Sequence, residues 1–421
     1  MGEGWMIPRF GEEEYVNVNR AMRDGKLSEY WKNPLGGPWV QEFERRFAEY
    51  HKMPYAVACS NGTSALHIAL EAYLCDHRNT ATAQPWSAAG LLELAKLPEE
   101  QREEIKDAAA WVMRSSEREK ICVSPYSFIA SASCALMAGA EPFFTDIDSE
   151  TWTIPDRHSH GAGIPKDIRI IIPVHLLGHP CDIRHIKQSD TWDYIVEDTA
   201  QALGSRVDGE LCGTLGDIST YSFQYTKTIT TMGEGGIVLT RDPVLYDRCL
   251  KIRSHGSQYA DTPYQTYNYR MIEPQAAFGC AQMNRLNGFL SIQRRNAEYI
   301  ISHLPKGLKP PEVLGNVQHS WFLIGCVFDE QEAGMSREQF IERCTQEGVS
   351  KGQPGANIGA GYSKPLYRFP LLKPYAPTKP LEHVENIVKK SVFLDIHRWD
   401  TLESVKEKIE KMTKILEASE K

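Results

Sequence analysis

Short apolar runs alternate with segments of helical periodicity along the first 290 residues. Residues 38–50 (PWVQEFERRFAEY) have apolar side chains at helical spacing, and YAVACSNGTSALHIALEAYL then joins an apolar run, a small-residue turn and a helical segment. Further apolar runs occur in KICVSPYSF, AEPFFTDID, IRIIIPVHLLG, YIVEDTAQALG and GGIVLT. Short apolar strands that alternate with helices predict an α/β fold, a mostly parallel sheet flanked by helices. In such folds, ligands bind at the carboxyl ends of the strands.

A smaller α+β domain is predicted at the C-terminal end. The segment MIEPQAAFGCAQMNRLNGFLSIQRRNAEYIISHL predicts one or two long helices, and strand-like WFLIGCVFD and helix-like REQFIERCTQEG and TLESVKEKIEKMTKILEASEK follow. A single core stops growing near ~250–300 residues, so we expect a large domain, 1–290, and a small domain, 291–421. Residues 353–380, rich in Gly, Pro and Tyr, predict a long loop, and long loops are usually either functional or disordered.

Residues 76–119 interrupt the alternation of strands and helices. They are polar, and 98–114 has the pattern of an amphipathic charged helix. We interpret this insertion as a surface elaboration in preference to a lid or an oligomer contact.

Charge and cysteine content narrow the classes of function. The net charge of −8 and the lack of a basic stripe argue against nucleic acid as a partner. No apolar run approaches the ~20 residues of a membrane span, and MGEGWMIPRFGEEEYV has no apolar signal region. The ten cysteines are scattered without CxxC spacing, which indicates reduced thiols in a cytoplasmic protein and no zinc site.

Four features carry candidate chemistry, and each has an ordinary alternative. The turn SNGTS opens a helix whose free amides would bind a phosphate, although a simple cap is the better explanation of it alone. Asp198 ends an apolar strand and would hold a cationic ring nitrogen or cap a turn. Phe128 would stack on a flat cofactor or pack in the core. Lys227 is either a solvated turn lysine or a Schiff-base lysine, with Ser222 as a phosphate donor.

Together these features supply every part of a pyridoxal 5′-phosphate (PLP) site. They provide a phosphate cradle, a ring stack, a carboxylate for the pyridinium nitrogen and a covalent lysine. They also occur in a consistent order and at strand ends. Because their joint occurrence by chance is much rarer than any single alternative, the sequence predicts PLP as the cofactor.

In its motifs the chain resembles the DegT/DnrJ/EryC1/StrS family of sugar and cyclitol aminotransferases, which share the aspartate aminotransferase fold (fold type I). The combination of EDTAQA, SFxxxK and GEGG is specific to that family. The matching segments run in family order over most of the chain: SNGTSALHIAL, SPYSFIASA, FFTDIDSETWTI, IIPVHLLGHPCDI, VEDTAQALGS, GDISTYSFQYTKTITTMGEGG, IRSHG and YNYRMIEPQAAFG.

The resemblance implies a role for each matching residue. Lys227 would form the Schiff base and move protons, and Asp198 would keep the pyridine nitrogen protonated. Gln201 would lie near the phenolic oxygen of the ring. Asn268 would reach the phosphate from the other subunit, which implies a homodimer with shared sites. The implied cofactor-binding residues are Gly62, Thr63, Ser64, Phe128, Asp198, Gln201, Ser222, Lys227 and Asn268, of which Lys227 and Asp198 are catalytic.

Other matching or polar residues receive no chemical role. His175 matches a family histidine near the site, but a packed strand-end residue is the alternative. His158 and His160 lie in a polar segment, where a metal pair is the less favoured interpretation. Arg253 and His255 in IRSHG match a family segment near the cofactor pocket or the interface.

Lys227 favours transamination, because some family members carry histidine at this position and act as dehydratases. Glutamate or glutamine would donate the amino group, and a keto-sugar, nucleotide-linked or free, or a keto-cyclitol would accept it. Gln224 and the segment GYSKPLYRFPLL favour the cyclitol branch. The alternatives are a PLP-dependent dehydratase or aromatising enzyme and, less favoured because the site residues are intact, a non-catalytic PLP-binding regulator.

Overall fold

The computed structural model describes residues 10–79, 118–155, 164–188, 192–256, 262, 264–313, 315–349, 359 and 361–418. Two sequence predictions fall elsewhere. The helix expected at 98–114, with most of the insertion, and the pair His158 and His160 lie outside the described residues.

A seven-stranded sheet forms the centre of the molecule. Its strands are β1 (Tyr55–Cys59), β2 (Lys120–Val123), β3 (Glu141–Phe144), β4 (Ile170–Ile172), β5 (Tyr194–Asp198), β8 (Ile218–Ser222) and β9 (Gly236–Thr240); β6 (Arg206–Val207) and β7 (Glu210–Leu211) form a separate ribbon. The order is β1-β9-β8-β5-β4-β2-β3. Strands β3, β2, β4, β5 and β8 are parallel, whereas β9 is antiparallel to both of its neighbours. The predicted α/β fold with a mostly parallel sheet is therefore confirmed.

One central strand was not predicted. β8 reads Ile-Ser-Thr-Tyr-Ser, and Ser219 and Thr220 are buried although they are polar. Their hydroxyls are satisfied inside the protein, since Ser219 Oγ donates to the Gly213 carbonyl at 2.6 Å. The apolar pattern that marks the other strands is therefore missing here.

Helices cover the sheet. They are α1 (Glu12–Arg23), α2 (Pro38–His51), α3 (Gly62–Asn79), α4 (Ala130–Met137), α5 (Ile183–Gln188), α6 (Pro243–Arg253) and α7 (Glu273–Ser302). The segment for which one or two helices were expected is the single helix α7. The carboxylate of Glu273, at its start, accepts hydrogen bonds from Gly37 N at 3.1 Å and Trp39 N at 2.8 Å, which joins α7 to α2. In the described part of the chain, none of the helices has the length and apolar character of a membrane span.

The C-terminal part forms a three-stranded antiparallel sheet, β10 (Leu308–Lys309), β12 (Leu323–Phe328) and β13 (Ser391–Asp395), while β11 (Val317–Gln318) pairs with β6. Its helices are α8 (Glu330–Ala333), α9 (Arg337–Gln346), α10 (Glu382–Lys390) and α11 (Leu402–Glu417). Phe328, Phe340 and Met412 form a core of their own, but Leu366 and Phe393 pack into the core of the large sheet. The division at residue 290, which falls inside α7, stays a prediction.

Candidate active site

The candidate site lies along the edge where the parallel strands end. β5 ends at Asp198 and β8 at Ser222, and the loop from β8 to β9 carries Lys227. Cys59 and Ser222 both pair with Gly236, so the turn after β1 is level with the end of β8. The sheet register therefore brings these separate motifs to one place.

The turn between β1 and α3 presents free backbone amides. The first hydrogen bond of the helix runs from Ala65 N to the Asn61 carbonyl at 3.1 Å, and Asn61 Oδ1 caps Ser64 N at 2.8 Å. The amides of Gly62 and Thr63 precede these bonds at the positive end of the helix, where anions bind. The Ser64 hydroxyl itself bonds to Asn61 O at 3.0 Å, so it serves the turn.

Glycine allows the turn and the two strands to meet. A Cβ atom on Gly62 would lie 2.8 Å from Ser222 Cβ, and one on Gly236 would lie 2.3 Å from the Asn61 carbonyl oxygen. Side chains at these positions would force the backbones apart. The amides of the turn therefore lie close to Ser222, and a phosphate group could be held by both.

The carboxylate of Asp198 is buried, with 4% exposure, and both of its oxygens are held. Ser131 Oγ on α4 donates to Oδ2 at 2.7 Å, and Ala200 N donates to Oδ1 at 3.1 Å. Ser127 Oγ lies 2.9 Å from Ser131 Oγ and extends this network. A fixed anion at a strand end suits a protonated ring nitrogen, as predicted. Ser131 was not singled out from the sequence, although it lies in the matching segment SPYSFIASA.

Lys227 lies in a setting that favours nucleophilic chemistry. The residue is partly buried, and this burial lowers the pKa of its amine to about 8, against the opposing effect of the Asp198 and Glu234 carboxylates. A substantial fraction of the lysine is then uncharged at mildly alkaline pH, which attack on a carbonyl requires. The Phe322 ring lies 4.5 Å from Nζ, and Arg398 Nη1 donates to the main-chain carbonyl of Lys227.

The loop that carries Lys227 is organised by Gln224. Gln224 Oε1 accepts hydrogen bonds from Thr226 N at 2.8 Å and from Thr226 Oγ1 at 2.7 Å. The Gln224 carbonyl accepts from Lys227 N at 2.8 Å. Gln224 therefore fixes the turn as a scaffold residue.

Gln201 is held in one orientation by two partners. Its Oε1 accepts from Leu177 N at 2.7 Å, and its Nε2 donates to the Tyr362 hydroxyl at 2.9 Å. Burial raises the pKa of Tyr362 to about 12, and the bond to Gln201 opposes this while the Asp198 charge adds to it. The Tyr362 hydroxyl therefore stays protonated near Asp198.

Phe128 projects from the edge of the sheet. Its side chain is 60% exposed, which excludes the alternative that it packs in the core. It lies between β2 and α4, two residues before α4 begins at Ala130. Its exposed ring, close in sequence to the Asp198 donor Ser131, is available to stack on a flat ligand.

Asn268 lies on an extended segment beside the turn between β1 and α3, because the Tyr269 carbonyl accepts from Ser60 N at 2.8 Å. The rings of Tyr267 and Tyr269 stack on each other with centroids 5.2 Å apart, and Tyr269 OH lies 3.0 Å from His67 Nδ1. Asn268, between them, is exposed on the opposite face. Whether it reaches the phosphate of another subunit stays a prediction.

His175 is a buried residue that supports the candidate site through its hydrogen bond to Glu197. Its Nδ1 accepts from Cys181 N at 2.9 Å, so its Nε2 carries the proton and donates to Glu197 Oε2 at 2.9 Å. Burial opposes ionisation of Glu197, but bonds from His175 and from the Gly216 and Gly213 amides lower its pKa. His175 is thus a packed strand-end residue, the alternative given from sequence. Glu197 directly precedes Asp198 and anchors the end of β5.

Arg253 and His255 are structural. Arg253 is fully buried and donates to Glu44 Oε1 at 2.6 Å and to the Pro34 carbonyl at 2.9 Å. His255 N donates to the Tyr267 carbonyl at 2.9 Å and so holds the segment that carries Asn268.

Three contacts come from beyond residue 291 and were missed by sequence reasoning: Phe322 on Lys227, Arg398 on the Lys227 carbonyl and Tyr362 on Gln201. Tyr362 lies in GYSKPLYRFPLL, which the sequence analysis connected only with substrate preference. Phe322 and Arg398 have no local signal in the sequence, because each acts as a single side chain outside any recognisable motif.

Comparisons with known proteins agree with this geometry. The sequence profile of the DegT/DnrJ/EryC1/StrS aminotransferase family matches residues 9–84 and 108–413, and so leaves out 85–107 within the predicted insertion. GDP-perosamine synthase of Escherichia coli O157:H7 is 32% identical over 323 residues, 74% of this chain and 77% of that protein. L-glutamine:2-deoxy-scyllo-inosose aminotransferase of Streptomyces kanamyceticus is 28% identical over 321 residues, 71% and 64% of the two chains.

The fold agrees with a solved structure. The aminotransferase from Psychrobacter cryohalolentis superposes with a TM-score of 0.77 at 24% identity, over 98% of this chain and 99% of the other. The family profile matches most of the chain, and Lys227, Asp198 and the glycine turn after β1 lie at one edge of the sheet. This protein therefore belongs to the DegT/DnrJ/EryC1/StrS aminotransferase family.

Proposed function

We propose that this aminotransferase uses PLP to move an amino group from glutamate or glutamine to a ketone on a sugar or cyclitol ring. The observation that carries the proposal is the Lys227 amine, whose pKa is lowered to about 8 by burial at the edge where β5 and β8 end. A structural or surface lysine has no need of such a setting, whereas a lysine that bonds to an aldehyde must be uncharged.

The residues present fit the cofactor. The amides of Gly62 and Thr63 and the Ser222 hydroxyl would hold the phosphate, and Phe128 would cover one face of the ring. Asp198 would keep the ring nitrogen protonated, and Gln201, fixed by Leu177 and Tyr362, would lie near the phenolic oxygen. When bound, PLP supplies an electron sink for the negative charge that develops on the substrate carbon.

Lys227 would have two tasks at its Nζ atom. It would bond to the cofactor aldehyde while the substrate is absent, and it would carry a proton between substrate and cofactor once displaced. Both tasks need an amine that gains and loses a proton near neutral pH, which agrees with its lowered pKa.

For the acceptor we propose a keto-sugar first, with a nucleotide-linked one favoured by the 32% identity to a GDP-perosamine synthase. A keto-cyclitol is the second candidate, because a 2-deoxy-scyllo-inosose aminotransferase is also a relative and Gln224 favours that branch. Both acceptors are ketones on polyhydroxylated rings, so both demand the same chemistry at Lys227. They differ in the groups that surround the ketone.

We further propose a homodimer with shared sites in the cytoplasm. Leu27 and Ile272 are exposed apolar residues that lie close together, because Glu273 N donates to the Leu27 carbonyl at 3.0 Å. Exposed Asn268 lies beside the phosphate-binding turn. All ten cysteines lie within the described residues, are buried and form no disulfide bond, which suits a reducing compartment.

The visible absorbance spectrum of the purified protein, recorded before and after L-glutamine or L-glutamate is added, tests the proposal. We expect a visible band from covalently bound PLP that disappears with one donor, as the amino group moves to the cofactor. Ketones of the two candidate classes should then restore it.

A visible band that ignores both donors would favour the dehydratase, aromatising or regulatory alternatives. Failure to form a band after PLP is added would contradict the cofactor assignment. Aspartate and alanine, tested in parallel, control for an unspecific amine effect.

A further inference from the structure

The ring of Phe322 lies over the Lys227 amine, and no sequence motif predicted this contact. It directly precedes β12, in the C-terminal part of the chain, and its ring centroid lies 4.5 Å from Lys227 Nζ. The lysine loop belongs to the large sheet. The contact therefore joins the reacting atom of one part of the protein to a side chain of the other.

The backbone before Phe322 is held by hydrogen bonds to the loops that follow β4 and β5 of the large sheet. Ser320 N donates to Ser205 Oγ at 3.0 Å, and Ser205 Oγ donates to the Gly178 carbonyl at 2.7 Å. A Cβ atom on Gly178 would lie 3.0 Å from Phe322 N, so glycine is needed for this close approach.

The residue before Phe322 adopts an unusual conformation. Trp321 has φ of 56°, in the left-handed region that a bulky side chain rarely enters. It is stabilised there, because Trp321 N donates to His319 Nδ1 at 2.7 Å and the two rings stack with centroids 3.7 Å apart. Strain of this kind persists where the surroundings fix it, and it often occurs at functional sites. Its consequence here is the direction of the Phe322 side chain.

Two effects of the ring on the amine oppose each other. The aromatic face attracts an ammonium ion, whereas the exclusion of water disfavours it. The charged groups facing the amine are Asp198 at the end of β5 and Glu234 in the loop before β9, and both favour the ammonium. Arg398 contacts the main-chain carbonyl of Lys227. Burial of the amine is the largest influence on its pKa and lowers it, and the Phe322 ring, 4.5 Å from Nζ, is part of the surroundings that bury it.

We propose that Phe322 is a positioning residue for Lys227, which covers the amine from the C-terminal part of the chain and keeps water away from it. The inference rests on the role proposed above for Lys227. It adds that the C-terminal part of the chain controls the reactivity of the lysine.

The test measures the Lys227 amine directly, in the full-length protein freed of cofactor. Trace labelling with acetic anhydride over a pH series, with the Lys227 peptide quantified by mass spectrometry, gives its pKa. Phe322→Ala admits water and should raise the pKa by about one unit or more towards the ordinary lysine value. Phe322→Leu keeps an apolar cover without the aromatic face, so the pKa should stay low.

Phe328→Leu is the matched control, because Phe328 is a buried phenylalanine at the end of the same strand, in the C-terminal core. It should lower the melting temperature and leave the Lys227 pKa unchanged. If Phe322→Ala does not fold, Phe322→Gln replaces it, with the same expected rise.

An unchanged Lys227 pKa in Phe322→Ala, or an equal rise in Phe322→Leu, would overturn the inference. The measurement needs neither substrate nor bound cofactor. Failure of the proposed transamination therefore shows in the absorbance experiment, and failure of this inference shows in the labelling curve.

Discussion

The two sides of the candidate site are built differently. On the strand-end side, Asp198 and Ser222 are the last residues of β5 and β8, and Gly62 follows β1 in the same sheet. Backbone pairing sets their relative positions. On the C-terminal side, Phe322 and Tyr362 come from separate segments, and each contacts one candidate site residue, Lys227 or Gln201. Because many backbone hydrogen bonds fix the first side, substitutions there should remove function. Substitutions on the second side should adjust it.

The largest effect is expected at Lys227. Lys227→Ala should abolish the covalent PLP band and transamination while the fold is retained, because the position serves chemistry more than packing. Absorbance after PLP addition and circular dichroism measure the two outcomes. Lys251→Ala is the control. Lys251 Nζ lies 2.5 Å from Asp247 Oδ2 in a partly exposed ion pair on helix α6, which is not part of the candidate site. Retained transamination in Lys227→Ala would remove the residue from its proposed role.

Asn268 tests whether the strand-end side is completed by a second subunit. Loss of a hydrogen bond to a charged phosphate costs about 1.5–3 kcal/mol, so Asn268→Ala should weaken PLP binding by roughly 10–100-fold. Equilibrium dialysis measures this. Unchanged affinity would count against a shared site.

A mixing experiment locates the asparagine. In a hybrid of Lys227→Ala and Asn268→Ala subunits, a shared arrangement leaves one site with both residues intact, and activity should return. If Asn268 serves its own subunit, neither site is intact and the hybrid should stay as weak as its parents.

Gly62 tests whether the strand-end side depends on close backbone approach. The added methyl of Gly62→Ala would lie 2.8 Å from Ser222 Cβ, and overpacking of this kind costs about 1–3 kcal/mol. PLP affinity should fall, as measured by titration of the cofactor-free protein. Gly315→Ala, where the new atom meets nothing within 4 Å, is the control and should bind normally. Equal affinity in both variants would contradict the cradle.

The smallest effect is expected at Tyr362. Tyr362→Phe removes the partner of Gln201 Nε2 and should cost about 0.5–1.5 kcal/mol, or roughly 2–10-fold in PLP affinity. Tyr367→Phe loses a comparable bond, to Glu385 Oε1 at 2.8 Å, and should leave PLP affinity unchanged. A loss of binding at Tyr362 as large as that of Lys227→Ala would break the distinction between the two sides.

The strand-end side was predictable because its parts are local. The apolar strands, the glycine turn and Lys227 each carry a pattern within a few residues, and a parallel sheet gathers such strand ends on one edge. Strand β8 was missed because Ser219 and Thr220 are polar yet buried. The ring of Phe322 could not be placed, since its direction depends on Gly178 and Ser205, more than a hundred residues earlier in the chain.

The position of β9 has a consequence for how the chain folds. Tyr55 in β1 pairs with Thr240 in β9, so β1 gains this neighbour only after residue 240 has been synthesised. Contacts between such distant segments form late and slowly, and domains of this size fold through intermediates. A nascent chain shorter than this therefore leaves the edge of β1 and the apolar residues of α3 without their final cover. The turn after β1 and the end of β8 come together only when the large sheet is complete, so the candidate site forms late in synthesis.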